Sequence, residues 1–144
     1  MVKSKIATLR RSYKKGGLME EDLPDDPVEL FEQWLSEALD TEDAEPNVMS
    51  LATADEDGKP DVRQVLLKGV EEDSILFFTN YNSRKAQSLA NNPYASSCFW
   101  WPGLERQVRL GGSVGKVSRE VSENYFASRP RESQIGAWAS DQSR

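Results

Sequence analysis

The sequence predicts an α+β protein, mainly β with helices, built on a small antiparallel barrel. Three observations carry this reading. Five strand-like runs follow one another at short spacing between Val48 and Val117. Helical patterns are few and flank or interrupt that series. A paired glycine, Gly111-Gly112, sits inside the longest run, and glycine there suits the bulge or sharp bend that a barrel corner needs.

The elements follow in order. Met1 to Leu23 is polar, carries Gly16-Gly17, and reads as a flexible arm preceding a domain from residue 24 to 144. Pro24-Asp25-Asp26-Pro27 starts the first helix. Asp26 is a good N-cap, Pro27 fits the first helical position, and Glu29 completes a capping box. Leu30, Phe31, Trp34, Leu35 and Ala38 form one apolar stripe at helical spacing, which is core. Asp40 to Pro46 is an acidic, solvated loop. Val48 to Ala54 is a strand, and Asp55-Glu56-Asp57-Gly58 turns it, with Gly58 suited to positive φ. Asp61 to Gly69 and Ser74 to Asn80 are the next strands, joined by an acidic turn. Ser83 to Leu89 is helical, and Asn91-Asn92-Pro93 stops it. Tyr94 to Trp101 is a strand, Pro102-Gly103 turns the chain, and Glu105 to Val117 is the long strand. Ser118 caps a helix through Ala127, Arg129-Pro130-Arg131 breaks it, and Ser133 to Ala139 forms a last short helix.

Composition narrows the function. The chain has 144 residues, 38% hydrophobic and 29% charged, which fits one soluble globular domain with a real core. No apolar run is long enough to span a membrane, and the basic start lacks the apolar stretch of a secretory signal. A net charge of −6 argues against a general nucleic-acid binder. The single cysteine, Cys98, cannot form an internal disulfide, so a reducing, cytoplasmic setting is expected. Its apolar strand marks it as core rather than nucleophile. There is no histidine. Ser-His-Asp triads, Cys-His pairs and His-based zinc sites are therefore excluded within this chain, and no metal site is expected. Chemistry here belongs to a cofactor.

The cations say which kind. A helix start carries partial positive charge and prefers Asp or Glu, yet the helix at Ser83 opens with Arg84 and Lys85. Without an anion that placement is unfavourable by roughly 0.3–1 kcal/mol per charge. A phosphate would gather the free N–H groups and both side chains, with Asn82 or Ser83 as the cap. The alternative is that both side chains point into water. On the strand Val62 to Lys68, alternation puts Arg63 and Lys68 on opposite faces. Either a bulge re-aims one, or they serve two anions. Arg129 and Arg131, beside Tyr125, Ser133 and Gln134, supply donors for a second phosphate or are ordinary surface arginines.

These stretches resemble the pyridoxine (pyridoxamine) 5′-phosphate oxidase family. The matching runs are Arg10-Arg11-Ser12-Tyr13 with Gly16-Gly17-Leu18, Arg63 to Lys68, Phe78-Thr79-Asn80 with Ser83-Arg84-Lys85, and Leu104 to Val108. Tyr125-Phe126 with Ser128 to Arg131, Ser133 to Trp138, and Gln142-Ser143 complete the set in family order. The resemblance implies an FMN-binding split β-barrel of antiparallel Greek-key type, a homodimer with FMN at the interface. It implies oxidation of pyridoxine or pyridoxamine 5′-phosphate to pyridoxal 5′-phosphate, with oxygen reoxidising the flavin.

Carried over by motif, Arg63, Arg84 and Lys85 would hold the FMN phosphate. Gln64, Val65, Leu66, Leu67 and Lys68, with Phe78 and Thr79, would line the flavin. Gln107, with the partner subunit as one source, would reach it, and Gln142 and Ser143 would complete that site. Lys68, Tyr125, Arg129 and Ser133 would bind the substrate phosphate, so that Arg63 and Lys68 serve two phosphates. Arg10, Arg11, Ser12 and Tyr13 would cover the substrate. The family's further C-terminal strands, and an Arg-Leu-His stretch near the reacting carbon, have no counterpart here. The expectation is a piece of a longer protein, with a natural short relative or a truncated chain as alternatives. No catalytic residue is assigned. The competing functions are a non-catalytic FMN or pyridoxal-phosphate binding protein and another split-barrel flavin reductase.

Overall fold

The computed structural model describes residues 12–41, 45–71 and 73–140. These form helix α1 (Pro27–Leu39), strands β1 (Val48–Ala54), β2 (Pro60–Leu66), β3 (Gly69–Glu71) and β4 (Ser74–Leu76), and helix α2 (Arg84–Asn91). Strands β5 (Tyr94–Trp101) and β6 (Arg106–Ser113) follow, then helices α3 (Arg119–Ser128) and α4 (Arg131–Ala139). A single 3-10 turn, Glu20–Asp22, precedes α1. The architecture is α+β, with antiparallel pairing throughout the described strands.

The strands make an open four-stranded sheet, in the order β2-β1-β5-β6, and a separate ribbon of β3 with β4. They do not close into a barrel among the described residues. Alternation along the sheet decides its two faces. Met49, Leu51, Phe99 and Trp101 point inward and are buried, and Phe31 and Ala38 of α1 join Met49, Phe99 and Trp101 in one core cluster. The Phe31 ring lies 5.3 Å from that of Phe99 and 6.2 Å from that of Trp101. The buried Trp101 indole is satisfied by donating Nε1–H to the Pro46 carbonyl at 2.8 Å. Helix α1 is tied to the start of β6 as well: Arg106 stacks on Trp34, 4.5 Å from the ring centroid, and pairs with Glu37 at 2.7 Å.

Several boundaries differ from expectation. The strand expected from Asp61 to Gly69 turns a corner. Leu67 N–H donates to the Asn47 carbonyl beside β1, while Lys68 N–H donates to the Leu76 carbonyl of the ribbon, both at 2.8 Å. Adjacent residues thus bond to different sheets. The strand expected to reach Asn80 pairs only to Leu76, because β3 offers three residues. The long strand ends at Ser113 rather than Val117, since its partner β5 begins at Tyr94, which faces Ser113. No bulge forms at Gly111-Gly112. Register with β5 runs unbroken through both, and a Cβ on Gly111 would meet the Ala95 carbonyl oxygen at an ordinary 3.7 Å.

At α1 the Asp26 carboxylate accepts from Val28 N–H at 2.8 Å, as a cap should. Glu29 does not close the expected box; its carboxylate accepts from Gln33 instead. Gly58 has φ +78° in the β1–β2 turn, as expected. Cys98 is half-buried on the outer sheet face, opposite Ser50 and Arg109, rather than in the core. Residues 12–23 are almost wholly exposed. They are anchored nonetheless: Tyr13 meets Trp100 edge-on at 6.1 Å, and the Lys14 and Lys15 N–H groups donate to the Glu105 carboxylate.

Candidate functional site

The free edge of β2 is where the site begins. Among the described residues, strand β2 pairs with β1 only, so its other side has no ladder partner there. Leu67 bonds toward β1 at one end, and the Asp55 N–H to Lys59 carbonyl bond closes the other. In an antiparallel ladder the bonding residues alternate. Arg63 and Val65 therefore spend their backbone groups on β1, while the N–H and C=O of Gln64 and Leu66 face outward. Those groups border a cleft of about 550 Å³.

Opposite the strand edge, residues 77–81 run unpaired from β4 toward α2 and form a second wall of the cleft. Asn80 begins a tight turn, with its side chain accepting from Asn82 N–H and its carbonyl from Ser83 N–H. Ser83 is fully buried and caps α2 by accepting from Ala86 N–H at 3.4 Å. Its hydroxyl lies 3.3 Å from that of Thr79. Thr79 Oγ1 in turn accepts from Lys85 Nζ at 3.1 Å.

Lys85 is only 8% exposed and carries no ion pair with a described residue. Burial holds its ammonium below the ordinary 10.5, the nearby Arg63 guanidinium lowers it further, and Asp61 partly offsets both. Arg63 lies on the inner sheet face. It donates to the Leu51 carbonyl at 3.0 Å and Thr53 Oγ1 at 2.9 Å, and pairs with Asp61 at 2.8 Å. A buried lysine, the Thr79 hydroxyl and a helix N-terminus at one end of a cleft are the donor set for an anion.

The remaining wall comes from residues 114–117, which follow β6, and from α3. Tyr125 of α3 stacks on Phe78 with ring centroids 3.7 Å apart and planes 6° from parallel. Arg129, at the C-cap of α3, also borders the cleft, as does Lys68. Among the described residues, the charged ones that line it are Lys68, Lys85, Lys116 and Arg129, with no Asp or Glu. On a chain of net charge −6, this concentrates positive potential in one apolar-walled hollow.

Of the residues singled out in the sequence, the fold brings Gln64, Val65, Leu66, Lys68, Phe78, Thr79, Lys85, Tyr125 and Arg129 to this one cleft. Arg63 stands behind it, and Leu67 is buried at the corner. Arg84 is exposed and Ser133 half-buried, and neither borders the cleft. Ser12 and Tyr13 lie with the arm by the β5–β6 turn, and Gln107 is exposed on β6, opposite Trp100. Arg10, Arg11, Gln142 and Ser143 lie outside the described residues. Sequence reasoning missed Tyr81 and Lys116. Neither carried the signal that marks Lys85, since Lys116 precedes the Ser118 cap and lies outside the first turn of α3.

Comparison with known proteins gives a consistent picture. The sequence profile of the family described as pyridoxamine 5′-phosphate oxidase matches residues 35–144. A pyridoxine/pyridoxamine 5′-phosphate oxidase of Leptospira interrogans is 56% identical over 140 residues, covering 97% of this chain and 65% of its own length. One of Paraburkholderia phymatum is 53% identical over 141 residues, covering 98% and 66%. The chain thus spans about two thirds of the length of these relatives. Among solved structures, PhzG from Burkholderia lata in complex with tetrahydrophenazine-1-carboxylic acid superposes with a TM-score of 0.84 at 25% identity. The match covers 89% of this chain and 64% of that one. A pyridoxamine 5′-phosphate oxidase-related, FMN binding protein from Nostoc punctiforme gives a TM-score of 0.58 at 18% identity, covering 85% and 75%. The fold is that of the split-barrel group, as the sequence led one to expect.

Proposed function

The chain belongs to the pyridoxamine 5′-phosphate oxidase family, and from that premise we propose that its cleft binds FMN together with pyridoxine or pyridoxamine 5′-phosphate, and that the protein oxidises the vitamer to pyridoxal 5′-phosphate with oxygen as acceptor. The observation that carries this reading is the cleft itself: among the described residues it is acid-free, bordered by four cations, and runs along an unpaired strand edge.

The residues fit the cofactor. Lys85, with Thr79 and the α2 N-terminus, suits a phosphate; Ser83 supports Thr79 from beneath, and Arg63 adds charge from behind. The outward N–H and C=O groups of Gln64 and Leu66 suit the polar edge of a planar ring, which carries donors and acceptors of its own. Val65, Phe77, Phe78 and Leu89 supply apolar contact for the ring faces. When bound, FMN supplies the electron sink that takes a hydride from the vitamer and passes its electrons to oxygen.

The chain's own part is placement. Lys68, Tyr125 and Arg129 hold the second phosphate across the cleft, with Ser133 nearby on α4. Two anchored phosphates fix the relative position of the reacting rings, and positioning of this kind removes much of the entropic barrier. In a homodimer Gln107, Gln142 and Ser143 complete the flavin site, and the arm Arg10 to Tyr13, whose Tyr13 rests on Trp100 beside Gln107, covers the partner subunit's substrate. A second reading is a non-catalytic FMN or pyridoxal-phosphate binding protein. It is favoured by one observation: among the described residues no histidine, carboxylate or thiol borders the cleft to move a proton.

One experiment separates them. The FMN-loaded chain receives pyridoxine 5′-phosphate without oxygen while flavin absorbance is followed. Bleaching that recovers on admitting air is the expected result. A vitamer that binds while the flavin stays oxidised selects the binding protein, and failure to bind FMN overturns both readings.

A further inference from the structure

The last two helices are held to the sheet by little. Neither α3 nor α4 has a buried residue. They are clamped to each other, since Gln134 Nε2 donates to the Arg129 carbonyl at 2.7 Å and the Ala127 carbonyl at 3.3 Å. They are therefore joined as one unit, which carries Tyr125 and Arg129. Two aromatic contacts join this unit and its leading segment to the cofactor wall. One is the Phe78–Tyr125 stack. The other places Lys116 Nζ over the Tyr81 ring, 4.9 Å from its centroid. Both bridge the same two stretches, 77–81 and 114–125, and one contact alone would leave a swivel.

We propose that Tyr81 and Lys116 form a latch that sets where α3 and α4 stand against the cofactor wall, and are thereby positioning residues for the substrate phosphate. The phosphate part rests on the reading of Tyr125 and Arg129 given above. Both latch residues border the cleft and are exposed, Tyr81 at 54%, so neither is needed for the core. Lys116 forms no ion pair with a described residue, which leaves the ring face as its partner. A surface contact without consequence would have the same geometry but no effect on α3 and α4.

The test is hydrogen exchange on the 144-residue chain, followed by equilibrium binding of pyridoxine 5′-phosphate to the FMN-loaded chain. Tyr81→Ala and Lys116→Met should each speed exchange of residues 119–139 by about 2- to 5-fold, the worth of one exposed cation–π contact. Exchange in β1 and β5 should not change. In Tyr81→Ala, which leaves the charge of the cleft intact, the vitamer's Kd should rise by a similar factor while the Kd for FMN stays constant. Tyr81→Phe and Lys116→Arg should restore both, and the double variant should be no worse than either single one. Unchanged exchange in α3 and α4, or a change that Tyr81→Phe leaves in place, overturns the latch. If exchange responds but the unaltered chain binds FMN and ignores the vitamer, the latch stands and the substrate reading falls.

Discussion

Lys85 is where the stability of the chain and its function pull apart. A buried ammonium with one hydroxyl partner keeps much of its desolvation cost. Lys85→Met removes that cost in the unliganded chain, so its thermal midpoint should stay level or rise. The same change removes a charge-assisted hydrogen bond to a bound phosphate, roughly 1.5–3 kcal/mol. FMN affinity measured by flavin fluorescence should fall by about 10- to 150-fold. A variant that loses stability yet binds FMN normally would contradict the anion role. The pH dependence follows from the depressed pKa. Between its folded value and the ordinary 10.5, the unfolded chain holds more protons at this site, so stability rises with pH across that window. FMN affinity should move the other way, highest below the folded value and falling as pH climbs through it, because an anion favours the charged amine. In Lys85→Met both slopes should flatten.

Three helix starts were the most legible elements, because each depends on a single side chain reaching a nearby N–H, whereas α4, which has no side-chain cap, begins at Arg131 rather than at the expected Ser133. Asp26, Ser83 and Ser118 all cap where the sequence places them. Strand ends were less legible. Where β2, β4 and β6 stop is decided by how far a partner strand extends, and no local signal near Gly69, Asn80 or Val117 carries that length. The site divides in the same way. Lys85, Tyr125 and Arg129 were readable from local motifs, whereas the Tyr81–Lys116 contact joins two segments distant in sequence. The corner at Leu67 and Lys68 also escaped the alternation argument, which assumed one continuous strand. The α2 cap offers a test at this scale. Ser83→Ala should cost about 0.5–2 kcal/mol in chemical denaturation. It should also weaken FMN binding, since Ser83 contacts the Thr79 hydroxyl that receives Lys85. A loss of stability with intact FMN affinity would reduce Ser83 to a cap alone.

The sheet's outer face determines what the whole molecule does with Gln107. That residue sits on β6, at the opposite edge of the sheet from the cleft beside β2. Three strand spacings separate them, about 14 Å, so Gln107 cannot serve the cleft of its own chain. The face between carries Val62 and Leu66 on β2 and Tyr94 and Trp100 on β5, 63%, 40%, 64% and 47% exposed. Small residues fill its middle, Ser50 and Ala52 on β1 and Ser96 on β5, leaving it flat enough for close approach of another surface. Apolar side chains around a flat, small-residue centre suit a second copy of the chain, which would bring its own Gln107 to this cleft. The expected state is therefore a dimer in sedimentation velocity. Val62→Lys with Trp100→Glu should shift it to monomer without altering the far-ultraviolet circular dichroism, because both side chains are partly solvated already. FMN affinity should fall together with the dimer. A monomer that binds FMN as tightly as the unaltered chain would show that one copy completes the site, and would remove Gln107 from it.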